Sequence, residues 1–307
     1  MNDKIAVGVP RPKALIAMIE NLGDFFGART VGELKGSLQR DYARQRGSQS
    51  SARRELETLA AAINYFVKDM VGGVQMKFRA TLPDEAQARD RCLTRIEAAK
   101  LIRAAWRQRA DNHGPEKGRY TSRHIARFIL VALYTGSRAG AICGASLVPT
   151  IGRGRVDLET GVFRRLAYGK AENNKRQPTV ELPPRLLAHM RRWHRLGISK
   201  HAVVEYGDKP VLRVSKGWHG VVEAAGLATD VKERKVIPHT MRHTGISWYL
   251  ASGVPMDQVS DYCGVSIAII KKHYGHHLPG RNDAIIAASG TFGKRAPVTH
   301  QKQANRA

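Results

Sequence analysis

Apolar side chains recur at helical spacing over most of this chain. In SSARRELETLAAAINYFVKDM, Leu56, Leu59, Ala60, Ile63 and Phe66 fall on one face, with Arg53, Arg54 and Lys68 on the solvated side. Thr30 with Glu33 is a capping box predicted to open a helix through VGELKGSLQRDYARQR, and Thr94 with Glu97 starts a second one, TRIEAAKLIRAAWRQR. HIARFILVALYTG places Ile125, Phe128, Ile129, Ala132 and Leu133 on a single face before Gly136, which predicts a core helix with a glycine stop.

Periodicity lapses between Val71 and Arg91, where two glycines, a proline and mixed charge predict a linker. Later, RGRVDLETGVFRRLAYGKAENNKRQPTVELP alternates β-branched and polar residues around turn residues, which predicts two or three short antiparallel strands. Helical segments then return, each ended by a glycine: Gly197, Gly226, Gly253, Gly264 and Gly275. The expected architecture is mainly α with a small antiparallel β-sheet. It comprises a helical domain over 1–75, a linker over 76–91, a mixed but mostly helical domain over 92–292, and a flexible tail over 293–307.

Composition narrows the class of partner. The 307 residues are 42% hydrophobic, enough for a true core. No apolar run reaches the ~18 residues of a spanning helix, and the first residues lack a signal peptide's apolar stretch, so no membrane association is expected. Lys and Arg number 51 against 26 acidic residues, a formal charge of +25. Residues 1–88 hold 13 basic and 10 acidic side chains, so +22 of that excess lies in 89–307. Such a field suits a polyanion, nucleic acid first. Cys92, Cys143 and Cys263 form no close pair, which fits a reducing cytoplasm and gives no thiol zinc site.

Four features of the second domain carry candidate chemistry. Arg138 follows the core helix in Thr135-Gly136-Ser137-Arg138. Lys170 sits in the hairpin of the small sheet. His239 and Arg242 lie one helical turn apart in PHTMRHT, and Tyr274 ends SIAIIKKHYG. Each alone is weak. An Arg, a hairpin Lys, a His-x-x-Arg and a Tyr in this order resemble the tyrosine recombinase (phage integrase) family. The segment from His239 to Gly253 and the Tyr274-Gly275-His276 ending are similar to that family's motifs. The resemblance is strong over about 90–290 and generic over 10–75. Two positions depart from it: Ala141 stands where an acidic residue is usual, and Val265 where a His or Trp is usual.

What the resemblance implies is a helical core-DNA-binding domain joined to an integrase-type catalytic domain, the two clamping duplex DNA. Tyr274 is then the nucleophile, Arg138 and Arg242 the phosphate ligands, His239 a further donor or the group that relieves Tyr274 of its proton, and Lys170 the general acid. The product is a 3′-phosphotyrosyl bond with a free 5′ hydroxyl, formed without cofactor or metal. A homo-oligomer on double-stranded DNA, a tetramer at synapsis, is implied, in a bacterial cytoplasm and at the nucleoid when bound. RNDAIIAASGTF either packs on a neighbouring subunit or folds onto its own domain. Lys175 and Arg176 in the ENNKRQP turn, together with His243, Lys271, Lys272 and His276, are the candidate DNA contacts. The rival readings are a type IB topoisomerase-like enzyme that nicks and reseals, and a non-catalytic DNA-binding descendant.

The chemistry agrees with these residue types. A covalent intermediate conserves the phosphodiester bond energy, and a phenol can form it. With an ordinary pKa of ~10, only about one phenol in a thousand is ionised at pH 7, so neighbouring cations assist. Guanidiniums donate forked bonds to the non-bridging oxygens, which lysines cannot imitate. A zinc site built on His239, His243, His273, His276 and His277 lacks a carboxylate or thiol at ligand spacing.

Overall fold

A computed structural model describes residues 12–70, 77–85, 91–110, 118–172 and 175–275. The chain divides into two compact units, Met1–Ala88 and Arg89–Ala307.

The first unit contains α1 (Pro12–Phe26), α2 (Gly36–Arg46) and α3 (Gln49–Met70). Thr30 and Glu33 do form a capping box, but it closes only the 3-10 turn Val31–Glu33. The helix begins later, at Gly36. Leu22, Phe26, Leu34, Tyr42, Ala52 and Leu56 form the core. Glu55, buried among them, accepts from the Tyr42 hydroxyl at 2.7 Å and from Arg46 Nε at 3.1 Å, so its charge is matched in place. Phe66, expected on the inner face of α3, is exposed. Residues 77–85 lie within the predicted linker, yet Phe78, Ala80 and Leu82 pack on this core. Asn64 holds Phe78 through both its amide atoms, and Thr81 N–H donates to Gln39 Oε1 at 2.6 Å. That segment is a strap along the helices.

The second unit is built on α4 (Arg95–Arg107) and α5 (Arg123–Thr135), followed by the short α6 (Ala139–Cys143). Thr94 Oγ1 accepts from Glu97 N at 3.1 Å while the Glu97 carboxylate takes Thr94 N–H, which completes the predicted box. The helix α5 is buried on nearly every side rather than one, because α4 and α9 (Pro238–Ala251) both pack on it. Gly245 makes this possible: a Cβ there would lie 2.6 Å from the carbonyl oxygen of Leu133, so only glycine lets α9 come so close.

Four short strands form one sheet in the order β1 (Ala145–Ser146), β2 (Gly154–Val156), β3 (Val162–Arg164), β4 (Val180–Glu181). The β2–β3 and β3–β4 pairs are antiparallel as predicted, but β1 runs parallel to β2. A second hairpin, β5 (Glu205–Tyr206) with β6 (Lys209–Pro210), turns through Gly207 and Asp208, both at positive φ. The periodicity of the chain does not predict it. The remaining helices are α7 (Pro184–Arg195), α8 (Ser215–Ala224), α10 (Met256–Cys263) and α11 (Ile267–Tyr274). Gly136, Gly197, Gly226, Gly253 and Gly264 follow their helices at positive φ as predicted. Gly275 is instead right-handed, with φ −57°. No helix among the described residues is long and apolar enough to cross a membrane.

Candidate active site

Arg138 is placed by the turn after α5. Thr135 Oγ1 returns a bond to Val131 O at 2.6 Å and meets Ser137 Oγ at 2.7 Å, while Gly136 takes the left-handed conformation that sends the chain back. The turn is packed tightly; a Cβ on Gly136 would sit 2.6 Å from Cys263 Sγ. Arg138 Nη1 donates to Arg176 O at 2.7 Å and Nη2 to Gly264 O at 3.2 Å.

Arg242 arrives from α9. It is buried, and its Nη1 donates to Gly136 O at 2.5 Å and Cys263 O at 2.7 Å, with Nη2 3.2 Å from Gly264 O. Burial first, then the charge of Arg138, lowers its pKa to about 10, so it stays cationic at neutral pH. Arg138 is lowered by burial. The two guanidiniums converge on one carbonyl, that of Gly264.

A third guanidinium joins them, one that sequence reasoning missed. Arg165, directly after β3, is buried; Nη1 donates to Tyr262 O at 2.5 Å and Nη2 to Thr135 O at 2.8 Å. Its charge is felt at Arg242, and that of Arg138 is felt at Arg165. Among the described residues no carboxylate lies within ion-pair distance of Arg138, Arg165 or Arg242. Only the Arg164-Arg165 doublet hinted at it, and a doublet in a basic chain is no signal.

His239 and His243 lie one turn apart on α9, their rings edge to face at 4.8 Å. The ring of His239 is open to solvent on its outer side. Desolvation within the site, then Arg242 and Arg138, lowers its pKa below the ordinary histidine value. Tyr274 ends α11, buried at 3% exposure in a cluster with Ile246, Leu250, Cys263, Val265 and Ile270. Its hydroxyl lies 2.5 Å from His243 Nδ1, and the two rings stack at 5.6 Å. Tyr274 also counts among the charges that Arg242 senses. Val265 contributes packing to this cluster and no hydrogen bond from its side chain.

Thus Arg138, Arg242, His239 and Tyr274 are brought together, with His243 touching the phenol. Lys170 is not among them. Its side chain is exposed on the β3–β4 hairpin, beside an open groove of about 500 Å³ lined by Arg164, Tyr168, Glu172 and Gln177. No hydrogen bond or ion pair joins that side chain to the other four among the described residues. Arg176 holds Arg138 through its carbonyl, while its side chain reaches Asp261 at 3.0 Å. Lys175, Lys271 and Lys272 are exposed, and His276 lies outside the described residues, as do residues 276–307. The described residues hold no group of three potential metal ligands.

The arrangement can bind an oxyanion between two forked donors and present a phenol to it. No protein-family model and no curated protein matches the chain. Solved structures do. The Tn1549 transposon integrase, residues 82–397 in complex with transposon right-end DNA, superposes with a TM-score of 0.66 at 13% identity, over 92% of this chain and 95% of that one. Lambda integrase, residues 75–356 as a dimer bound to a COC′ core site, gives 0.63 at 14% identity, over 89% and 92%. Lambda integrase as a tetramer on a Holliday junction gives 0.58 at 14%, over 86% and 74%. By its fold, this chain is similar to the integrases of the tyrosine recombinase family.

Proposed function

We propose that the protein is a DNA strand-exchange enzyme of the integrase type. Tyr274 attacks a scissile phosphate held by Arg138 and Arg242, giving a 3′-phosphotyrosyl intermediate and a free 5′ hydroxyl that attacks a partner strand. The observation that carries this reading is the convergence of two guanidiniums on Gly264 O beside a tyrosine hydroxyl, with no carboxylate among the described residues to neutralise them. Positioned donors of this kind contribute ~3–4 kcal/mol each when charge develops on the transferred group.

The bound phosphate takes over the donors now given to the Gly264, Gly136 and Arg176 carbonyls. The left-handed Gly264 before α11 is the joint at which that helix can turn the phenol towards the phosphate with its hydroxyl still beside His243. Lys170, on its exposed hairpin, closes over the phosphate as the general acid for the leaving oxygen. Double-stranded DNA is the partner, with homo-oligomers assembling on it and a tetramer at synapsis; the lambda integrase dimer on a core site and tetramer on a Holliday junction support this. Exposed Lys175, Lys271 and Lys272 join the phosphate contacts.

A nicked suicide duplex tests the reading, because loss of the short 5′ fragment strands the covalent adduct. Duplexes tiling the DNA that flanks the encoding gene should trap the protein on a 3′ end. Ala141, Val265 and the buried phenol favour a second reading, a DNA-binding descendant without activity. Binding without any adduct would select it.

A further inference from the structure

Among the described residues, the side chain that meets the reactive oxygen is His243, expected from the sequence only as a DNA contact. His243 Nδ1 lies 2.5 Å from Tyr274 Oη. We infer that His243 is the general base of strand cleavage, an assignment that rests on the functional reading above.

Three observations support it. The contact ends on Nδ1, so His243 can take the phenol proton there when its own proton is on Nε2. The backbone gives His243 no freedom to leave: it sits mid-helix in α9, next to Arg242, whose guanidinium is fixed by three carbonyls. Position 265, the other place from which a donor could have reached the site, is a buried valine. His239, one turn earlier, stands edge-on to His243, and the charges of Arg242 and Arg138 act on it. Among the described residues, the charged and titratable groups around His243 include His239 and Arg242 from α9 and Tyr274 from α11.

The step balances as follows. A lone pair on Tyr274 Oη forms the bond to phosphorus as the Oη–H proton passes to His243 Nδ1, giving an imidazolium. The bond between phosphorus and the 5′ oxygen breaks, its electron pair leaves with that oxygen, and the general acid protonates it. In the rejoining step His243 returns its proton to the departing phenol. An acid–base partner so placed typically contributes 10²–10⁴-fold in rate.

The test has two arms. Long-range ¹H–¹⁵N correlation on the free protein should find His243 protonated on Nε2, with Nδ1 bare; a proton on Nδ1 would make the histidine the donor and overturn the inference. In the second arm, single-turnover adduct formation is followed with the nicked duplex for wild type, His243→Ala and His243→Asn, each checked for a cooperative melt. The asparagine amide stands where Nδ1 stood and can hold the phenol without taking its proton. Both variants should be slower by about 10²-fold. An asparagine variant within a few-fold of wild type would reduce His243 to positioning and overturn the base assignment. A wild type that traps no DNA, with Nδ1 accepting, would sink the strand-exchange reading instead.

Discussion

Arg138 and Arg242 stand 104 positions apart in the chain, yet each places its Nη2 3.2 Å from the same carbonyl, that of Gly264. The phosphate site is therefore a set of donors already aimed at an oxygen. Backbone oxygens occupy them until an anion arrives.

The two arginines should separate when mutated. Arg242 is fully buried and satisfies three carbonyls, so Arg242→Ala should cost about 2–4 kcal/mol of stability as well as activity. Arg138 is half-buried and should cost less. Adduct formation should drop about 10²–10³-fold for either, and Arg242→Lys should not restore it, since an ammonium cannot span the carbonyls that a planar fork reaches. Thermal melts beside adduct yields check both statements.

Gly264 is under a double constraint. Its φ is +62°, and a Cβ would stand 2.7 Å from Arg176 O and 2.7 Å from Pro178 Cδ. Gly253 shares the strained φ, +83°, but has open space around it. Gly253→Ala should therefore cost about 1 kcal/mol, the left-handed penalty alone, whereas Gly264→Ala should cost about 2–4 kcal/mol and abolish the adduct by displacing the carbonyl that orders both guanidiniums. Equal losses would remove crowding as the cause.

Acid stability should be controlled in part far from the site. Burial, then the charge of Arg127, holds His124 down to about 4 against an ordinary 6.5. Between those values the unfolded chain binds a proton that the folded chain refuses. The stability His124 contributes is complete above pH 6.5 and is lost as the pH falls towards 4, at most about 3 kcal/mol. His239, also lowered, adds in the same direction. Urea midpoints from pH 7 to 4 should fall, and His124→Leu should flatten part of the slope.

Lys170 is testable by its leaving group. If it protonates the 5′ oxygen, Lys170→Ala should slow cleavage of an ordinary duplex by about 10²-fold or more and regain most of that rate on a 5′-thiol substrate, whose sulfur departs without an acid. No recovery would transfer the role to Lys175 or His239.

Much of the local structure was legible in the chain. The Thr94 and Glu97 box, the core helix ending at Gly136 and the glycine stops rest on interactions within a few residues, which spacing records directly. The Thr30 and Glu33 box shows the limit: Glu33 takes the Thr30 N–H, but the turn it closes is a single 3-10 turn and the α-helix begins only at Gly36. Phe66 shows another, because periodicity cannot say how far a neighbouring helix extends to cover a face. The parallel pairing of β1 with β2 and the burial of α5 on nearly every side depend on partners distant in sequence.

For the site, the resemblance to the tyrosine recombinases named Arg138, His239, Arg242 and Tyr274, each of them a weak signal alone. Only the tertiary structure decided which of them meet. It packed α9 onto α5 at Gly245, brought the Gly264 carbonyl between two arginines, added Arg165, and put His243 rather than His239 on the phenol. It left Lys170 apart on its hairpin. The physical reason is that hydrogen bonds to backbone carbonyls and the close approach of helix backbones are set by three-dimensional packing, and a one-dimensional pattern of side chains carries no record of them.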